Sequence, residues 1–230
     1  RQRPLPRSLR VVLENLAVQA LGGADVGESI DAVRDWHAGS GEIAVPLAVS
    51  RVMLPDSSGL PALMDLAAAR DVLADQGKDP GAIEPAVPVT LVVDHSLIVD
   101  VAGHPNARER NIAEEYRRNA ERYAFFKWAE QAFDGLKVVP PGSGIIHQVH
   151  LESIARVVAP RTVPGGPVLT TEFVLGCDSH TSMVGGIGML AWGVGGIDGE
   201  AAALGLPYEV RIPRVVGVQL TGALRPEATT

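Results

Sequence analysis

The 230-residue chain is short of cysteine: it has one, Cys177. No internal disulfide can form, and a single thiol cannot by itself hold a structural zinc or an iron-sulfur cluster. Positive charge is scarce as well, with 20 Lys and Arg against 27 Asp and Glu and a formal net charge of -7. No sequence-wide positive field is present to condense on a phosphate backbone, which counts against nucleic acid as a partner. No apolar run approaches the roughly 20 residues that cross a bilayer. The basic start RQRPLPRSLR lacks the apolar segment of a signal peptide, so the expected compartment is the cytoplasm. Aromatic residues make up 4%, and most of them fall between Tyr116 and Phe133. What the chain does have is 46% hydrophobic residues, enough for a substantial core.

Taken in order, short apolar runs alternate with helical patterns, which argues for an α/β fold. A helix is expected from Ser8 to Leu21, stopped by Gly22-Gly23, then a mixed loop with a short helical turn from Ala24 to Pro46. Val45 to Leu54 predicts one strand, Pro55 to Gly59 a turn, and Pro61 the start of a helix that ends at Gly77. Val89 to Asp100 opens with a β-branched run, a buried strand that delivers Asp94 and His95. Asn106 to Leu136 predicts one long helix with Ile112, Tyr116, Tyr123, Phe126 and Phe133 on its apolar side. Glu115 and Arg122 belong to its solvated face. Leu136 to Val139 is a short strand, followed by a turn and a helix bearing His147 and His150. Arg161 to Pro167 reads as a loop, and Pro213 to Leu220 as a last strand.

The chain is organised around Val174 to Gly205, VLGCDSHTSMVGGIGMLAWGVGGIDGEAAALG. A short apolar run ends in Gly176, and Asp178, Ser179 and His180 follow it directly. Glycines then let backbone come close to a ligand or to other backbone. A strand end that presents Asp-Ser-His to a glycine-lined crevice is where an α/β protein places an active site. Asp56, Ser57 and Ser58 occupy a similar strand-to-helix junction, where hydroxyls and free N–H groups suit an anionic substrate. Asp94 beside His95 is a plausible acid-base pair, because an ionised carboxylate raises the imidazole pKa.

Three strand exits, Asp94-His95, His147 and Asp178-Ser179-His180, together with VVPPGSGIIHQVHLE and GVGGIDGEAAALG, resemble the aconitase family, and more closely its aconitase A and iron-regulatory-protein branch. The resemblance runs from about Leu5 to the end of the chain. It implies an aconitase-like three-layer α/β/α domain over 1–217, the first domain of a multidomain iron-sulfur hydro-lyase, with 218–230 beginning a second. It further implies a 4Fe-4S cluster whose cysteine ligands lie downstream of this chain, so that no metal ligand is expected here; Cys177 stands where the family usually has Thr. Asp94 and His95 would protonate the departing hydroxyl, and His147 and Asp178 would sit beside the iron-bound water or hydroxyl. Ser179 would hold a substrate carboxylate, with Asp56, Ser57 and Ser58 also at the substrate, and His180 would hydrogen-bond substrate or its bound water. The reaction implied is dehydration and rehydration of citrate or a close tricarboxylate-like analogue through a cis-unsaturated intermediate.

One departure bears on substrate. The family branch has Gln-Asp followed by Phe-Thr where this chain has Pro55-Asp56 and Ser57-Ser58, and Asn where it has His150. Proline offers no side-chain donor. A specialised paralogue acting on a methyl-, homo- or phosphinyl-substituted analogue is therefore expected. Two other readings stay open at this level. One is a cluster-free fragment or regulatory subunit that keeps the fold without catalysis, completed by the remaining domains in the same chain or in a partner subunit. The other is a mononuclear-metal enzyme built on His95, His147, His150 and His180.

Overall fold

The computed structural model describes residues 5–37, 43–93, 98–144, 146, 151–212 and 214–228. Its centre is a five-stranded sheet in the order β4-β3-β2-β7-β8, from β2 (Arg51–Pro55), β3 (Val89–Val92), β4 (Leu136–Val139), β7 (Phe173–Gly176) and β8 (Leu190–Gly193). Every neighbouring pair is parallel. All residues of β2, β3 and β7 are buried, which is why their sequences are nearly unbroken apolar runs rather than alternating ones. The chain lays down β2, β3 and β4 in one direction, then returns across β2 to add β7 and β8. The direction of winding reverses between β2 and β7, and in open α/β sheets the crevice at that reversal is where ligands bind.

Helices α3 (Asp56–Asp75), α5 (Ala120–Ala132) and α7 (Gly196–Ala203) pack on one face of the sheet over Val52, Leu54, Leu91 and Leu175. The same core continues into α1 (Arg7–Leu21), α2 (Gly27–Arg34) and the antiparallel pair of β1 (Ala44–Leu47) with β9 (Tyr208–Arg211). The other face has a smaller core of Met53, Val92, Val139, Ile146, Val174, Val184 and Met189. Among the described residues its helical cover is thin: the four-residue α6 (Leu151–Ile154) and a 3₁₀ segment, Thr181–Ile187. The structure is thus a parallel sheet flanked by helices, as expected for the first aconitase-like domain.

Several elements differ from the sequence expectation. Val45 to Leu54 is two strands. Asn15, buried on α1, donates from Nδ2 to Ala48 O (2.8 Å) and accepts at Oδ1 from Ala48 N (3.0 Å), holding the chain as it leaves β1 for β2. Pro55 to Gly59 is not a turn; α3 begins at Asp56 and carries Pro61 inside it. Where a loop with a short helical turn was expected, the described residues hold the eight-residue α2 and the start of β1. The long helix is divided at Asn119 into α4 (Ala107–Arg118) and α5. Glu115 is buried and Arg122 reaches Asp56 of α3, so neither belongs to a solvated face. Conversely, Tyr116 is exposed rather than core. Residues 161–167 lie in a hairpin of β5 (Val158–Val163) and β6 (Gly166–Thr171), not in a loop. Pro213 lies outside the described residues, and 214–220 form no strand; the last strand is β9.

Candidate active site

Two strand exits meet at the winding reversal. β2 runs directly into α3, so Asp56, Ser57 and Ser58 form the first turn of a 20-residue helix whose N-terminus faces the sheet's C-terminal edge. Beside it β7 ends at Gly176, and Cys177 N donates to Met53 O of β2 at 3.0 Å. Asp178 O then accepts from Thr181 Oγ1 (2.7 Å) and Thr181 N (3.2 Å), which folds Asp178, Ser179 and His180 into a tight turn. Next to it, Val194 N after β8 donates to Gly176 O at 2.9 Å.

Two glycines make this crowding possible. A Cβ at Gly193 would lie 2.8 Å from Asp178 O, and one at Gly199 on α7 would lie 2.4 Å from Cys177 Sγ. At these two positions the glycine-rich stretch serves close packing of the turn, and not contact with a ligand. Cys177 Sγ donates to Gly195 O at 3.4 Å and lies beside Ser58, so the β7 exit adjoins the β2 exit.

Within the turn, Asp178 Oδ1 accepts from His180 N at 2.8 Å and lies 3.3 Å from His180 Nδ1, while Ser179 Oγ lies 3.1 Å from the same nitrogen. The Asp178 side chain is 11% exposed and that of His180 52%. A mostly buried carboxylate thus orients an accessible imidazole, the arrangement of a proton-exchanging pair. A cavity of about 480 Å³ opens alongside, lined by Cys177, Asp178, Ser179 and Ser182 with Trp192 and Gly193 of β8. Of the nine residues predicted for the site, the structure brings Ser58 and Asp178, Ser179 and His180 to this junction, with Asp56 and Ser57 at the head of the same helix. Asp94, His95 and His147 lie outside the described residues, as does His150. Asp94 and His95 directly follow Val93, whose N–H continues the ladder by donating to Val139 O at 3.1 Å.

Asp56 is almost completely buried and accepts from Arg122 Nη1 of α5 at 2.8 Å. Next to Arg122, Tyr123 donates its hydroxyl to Glu115 Oε1, which also accepts from Asn119 Nδ2 at 2.9 Å. Burial first, and the Glu115 carboxylate second, push the Tyr123 phenol far above its ordinary range. This cluster was missed from sequence. The one local signal was Asn119, a helix-breaking candidate between the two stretches.

The aconitase family (aconitate hydratase) model matches residues 29–230. The chain belongs to the aconitase family. Over 226 residues, 98% of the chain, it is 47% identical to the aconitate hydratase A of Thermus thermophilus, and 44% identical to the aconitate hydratases A of Deinococcus radiodurans and Pseudomonas aeruginosa. It spans about a quarter of the length of these relatives.

An iron-sulfur cluster, the cofactor that aconitase resemblance implies, requires thiolate ligands. The residues of this chain do not fit it. Burial pushes the Cys177 thiol up to about 11, against a smaller lowering by the Ser58 hydrogen bond, so it is protonated at neutral pH. Among the described residues no three His, Cys, Asp or Glu side chains gather as metal ligands.

Proposed function

We propose that this chain is the N-terminal part of an aconitase-type hydro-lyase and supplies half of its acid-base and carboxylate-binding site. The observation that carries this reading is the junction of the β2 and β7 exits, where a buried Asp178 orients His180 beside Ser179 and the first turn of α3. The 44–47% identity to aconitate hydratases A supports it. Any 4Fe-4S cluster takes its cysteines from the rest of a longer polypeptide, and residues 1–217 form the first domain, with 218–230 opening the next.

Dehydrating a hydroxy tricarboxylate requires a proton for the departing hydroxyl and fixed positions for the carboxylates. Asp94 and His95 supply that proton, and His147 and Asp178 sit beside the water that leaves and returns. His180, held through Nδ1, hydrogen-bonds substrate or this water. Ser179 donates to a carboxylate. At the β2 exit the Asp56 charge is matched by Arg122, so Ser57, Ser58 and the α3 N–H groups are the ones that suit an anion. Pro55 provides no side-chain donor there, and the substrate is a citrate analogue carrying a methyl, homo or phosphinyl change at the end bound by this exit.

The test is turnover by the full-length polypeptide, purified without oxygen, with citrate and the three analogue classes. Faster dehydration of one analogue than of citrate, reversed by Pro55→Gln, is the expected result. Citrate preferred by the unaltered protein overturns the analogue assignment, and a cluster-loaded protein that dehydrates none of them overturns the hydro-lyase reading.

A further inference from the structure

The thinly covered face of the sheet holds a feature that the acid-base site does not use. Arg51, at the start of β2, Thr90 of β3 and Lys137 of β4 lie on this face; Thr90 and Lys137 are register partners, and Arg51 reaches Thr90. With Ser143, Ser153 and Arg156 they line a cavity of about 450 Å³, within the range of small-molecule sites. Asp56 is five positions along from Arg51, so this end of the cavity is about 16 Å along the strand from the β2 exit.

The Arg51 guanidinium is poorly satisfied for a buried cation. Only 11% of its side chain is exposed. Its Nη1 reaches Thr90 Oγ1 at 3.5 Å and its Nη2 reaches Glu172 Oε1 at 3.4 Å, both long for charge-assisted bonds, and Nε has no acceptor. The other Glu172 oxygen is taken by the backbone N–H of Arg156 at 3.0 Å. Lys137 and the Arg156 guanidinium have no ion-pair partner among the described residues, and no described lining residue is a carboxylate. Among the described residues three cations therefore stand against the single carboxylate of Glu172, an excess of two positive charges around a cavity with hydroxyls on its wall.

We propose that this cavity binds a small oxyanion of charge -2, a phosphate or a short dicarboxylate, between Lys137, Arg156 and Arg51. The ligand supplies the acceptors that the buried guanidinium lacks, and the hydroxyls of Thr90 and Ser143 complete its shell.

Inorganic phosphate titrated calorimetrically into the full-length protein at low ionic strength tests this. Saturable binding is expected, weakened at least about ten-fold in Lys137→Ala/Arg156→Ala and unchanged in Ser179→Ala, since each lost charge-assisted contact counts for roughly three-fold or more. Both altered side chains are exposed. Should the double variant fail to fold, Lys137→Gln alone is read the same way, with about a three-fold loss expected. Equal affinity in the cavity variants, a loss in Ser179→Ala instead, or no saturable binding to the unaltered protein overturns the site. Binding is read without turnover, so the outcome is separate from that of the hydro-lyase assay.

Discussion

Replacing Gly199 by alanine has an effect whose sign depends on Cys177. In a helix interior the change is favourable by about 1 kcal/mol, because alanine loses less backbone entropy. Here the new Cβ would lie 2.4 Å from Cys177 Sγ, with Leu54 Cδ2 at 3.7 Å and Val52 Cγ1 at 3.9 Å behind it. Only the sulfur clashes, and it is held by Gly195 O. Overpacking of this kind costs about 1–3 kcal/mol, so Gly199→Ala alone is expected to be destabilising by up to about 2 kcal/mol. In a Cys177→Ala background the sulfur is gone and its space is open to the new methyl. There the same substitution is expected to stabilise by up to about 1 kcal/mol. Hydrogen exchange of the α7 amides in the four proteins of the cycle reads the local free energy. Equal destabilisation in both backgrounds would refute the packing account and leave Gly199 to be explained by ligand approach.

Three further outcomes follow from the same geometry. The Cys177 thiol is raised on folding from 9.0 to about 11, so the folded state favours its protonated form; this stabilisation is complete below pH 9 and is lost as pH rises from there through about 11. The urea midpoint should therefore fall more steeply over that window than it does in Cys177→Ala, and alkylation of the native thiol at pH 7 should be far slower than that of the unfolded chain; identical profiles would contradict it. Arg122→Ala leaves the Asp56 carboxylate buried without its 2.8 Å partner. A loss of about 3 kcal/mol is expected by denaturant titration, the low end for a broken buried pair because the Arg122 side chain is itself 30% exposed. A loss under about 0.5 kcal/mol, the size of a surface substitution, would show that the pair does not anchor α3 to α5.

Strands buried on both faces were the legible part of the fold. β2, β3 and β7 are short β-branched or apolar runs with abrupt ends, and the polar residues after the ends of β2 and β7 marked those two exits. The neighbourhood of those exits was not legible, because it follows from strand order and no local pattern encodes that β7 lies next to β2. Val45 to Leu54 read as one apolar strand, since the device that divides it, the Asn15 amide, sits some 30 residues earlier in the chain. Pro160, Pro164 and Pro167 hid the β5–β6 hairpin by the usual rule that proline is excluded from strands, a rule that edge strands escape. Glu115 and Arg122 were misplaced because charged side chains were read as solvated, whereas Glu115 is buried against Tyr123 and Asn119 and Arg122 pairs with Asp56 of α3. The family resemblance ran over nearly the whole chain and needed none of this detail, and it marked Asp178, Ser179 and His180, which the structure gathers in one tight turn, with Asp178 and Ser179 on the wall of the cavity beside it.

The most direct test of the central claim is the turnover number of the full-length, cluster-loaded protein with and without His180→Ala, at equal iron and sulfide content. If the Asp178-oriented imidazole exchanges protons at the substrate or its water, kcat falls by about 10²–10⁴-fold while the cluster content is unchanged. Activity within about two-fold of the unaltered protein would contradict the account, because removal of a general acid-base group costs far more than that.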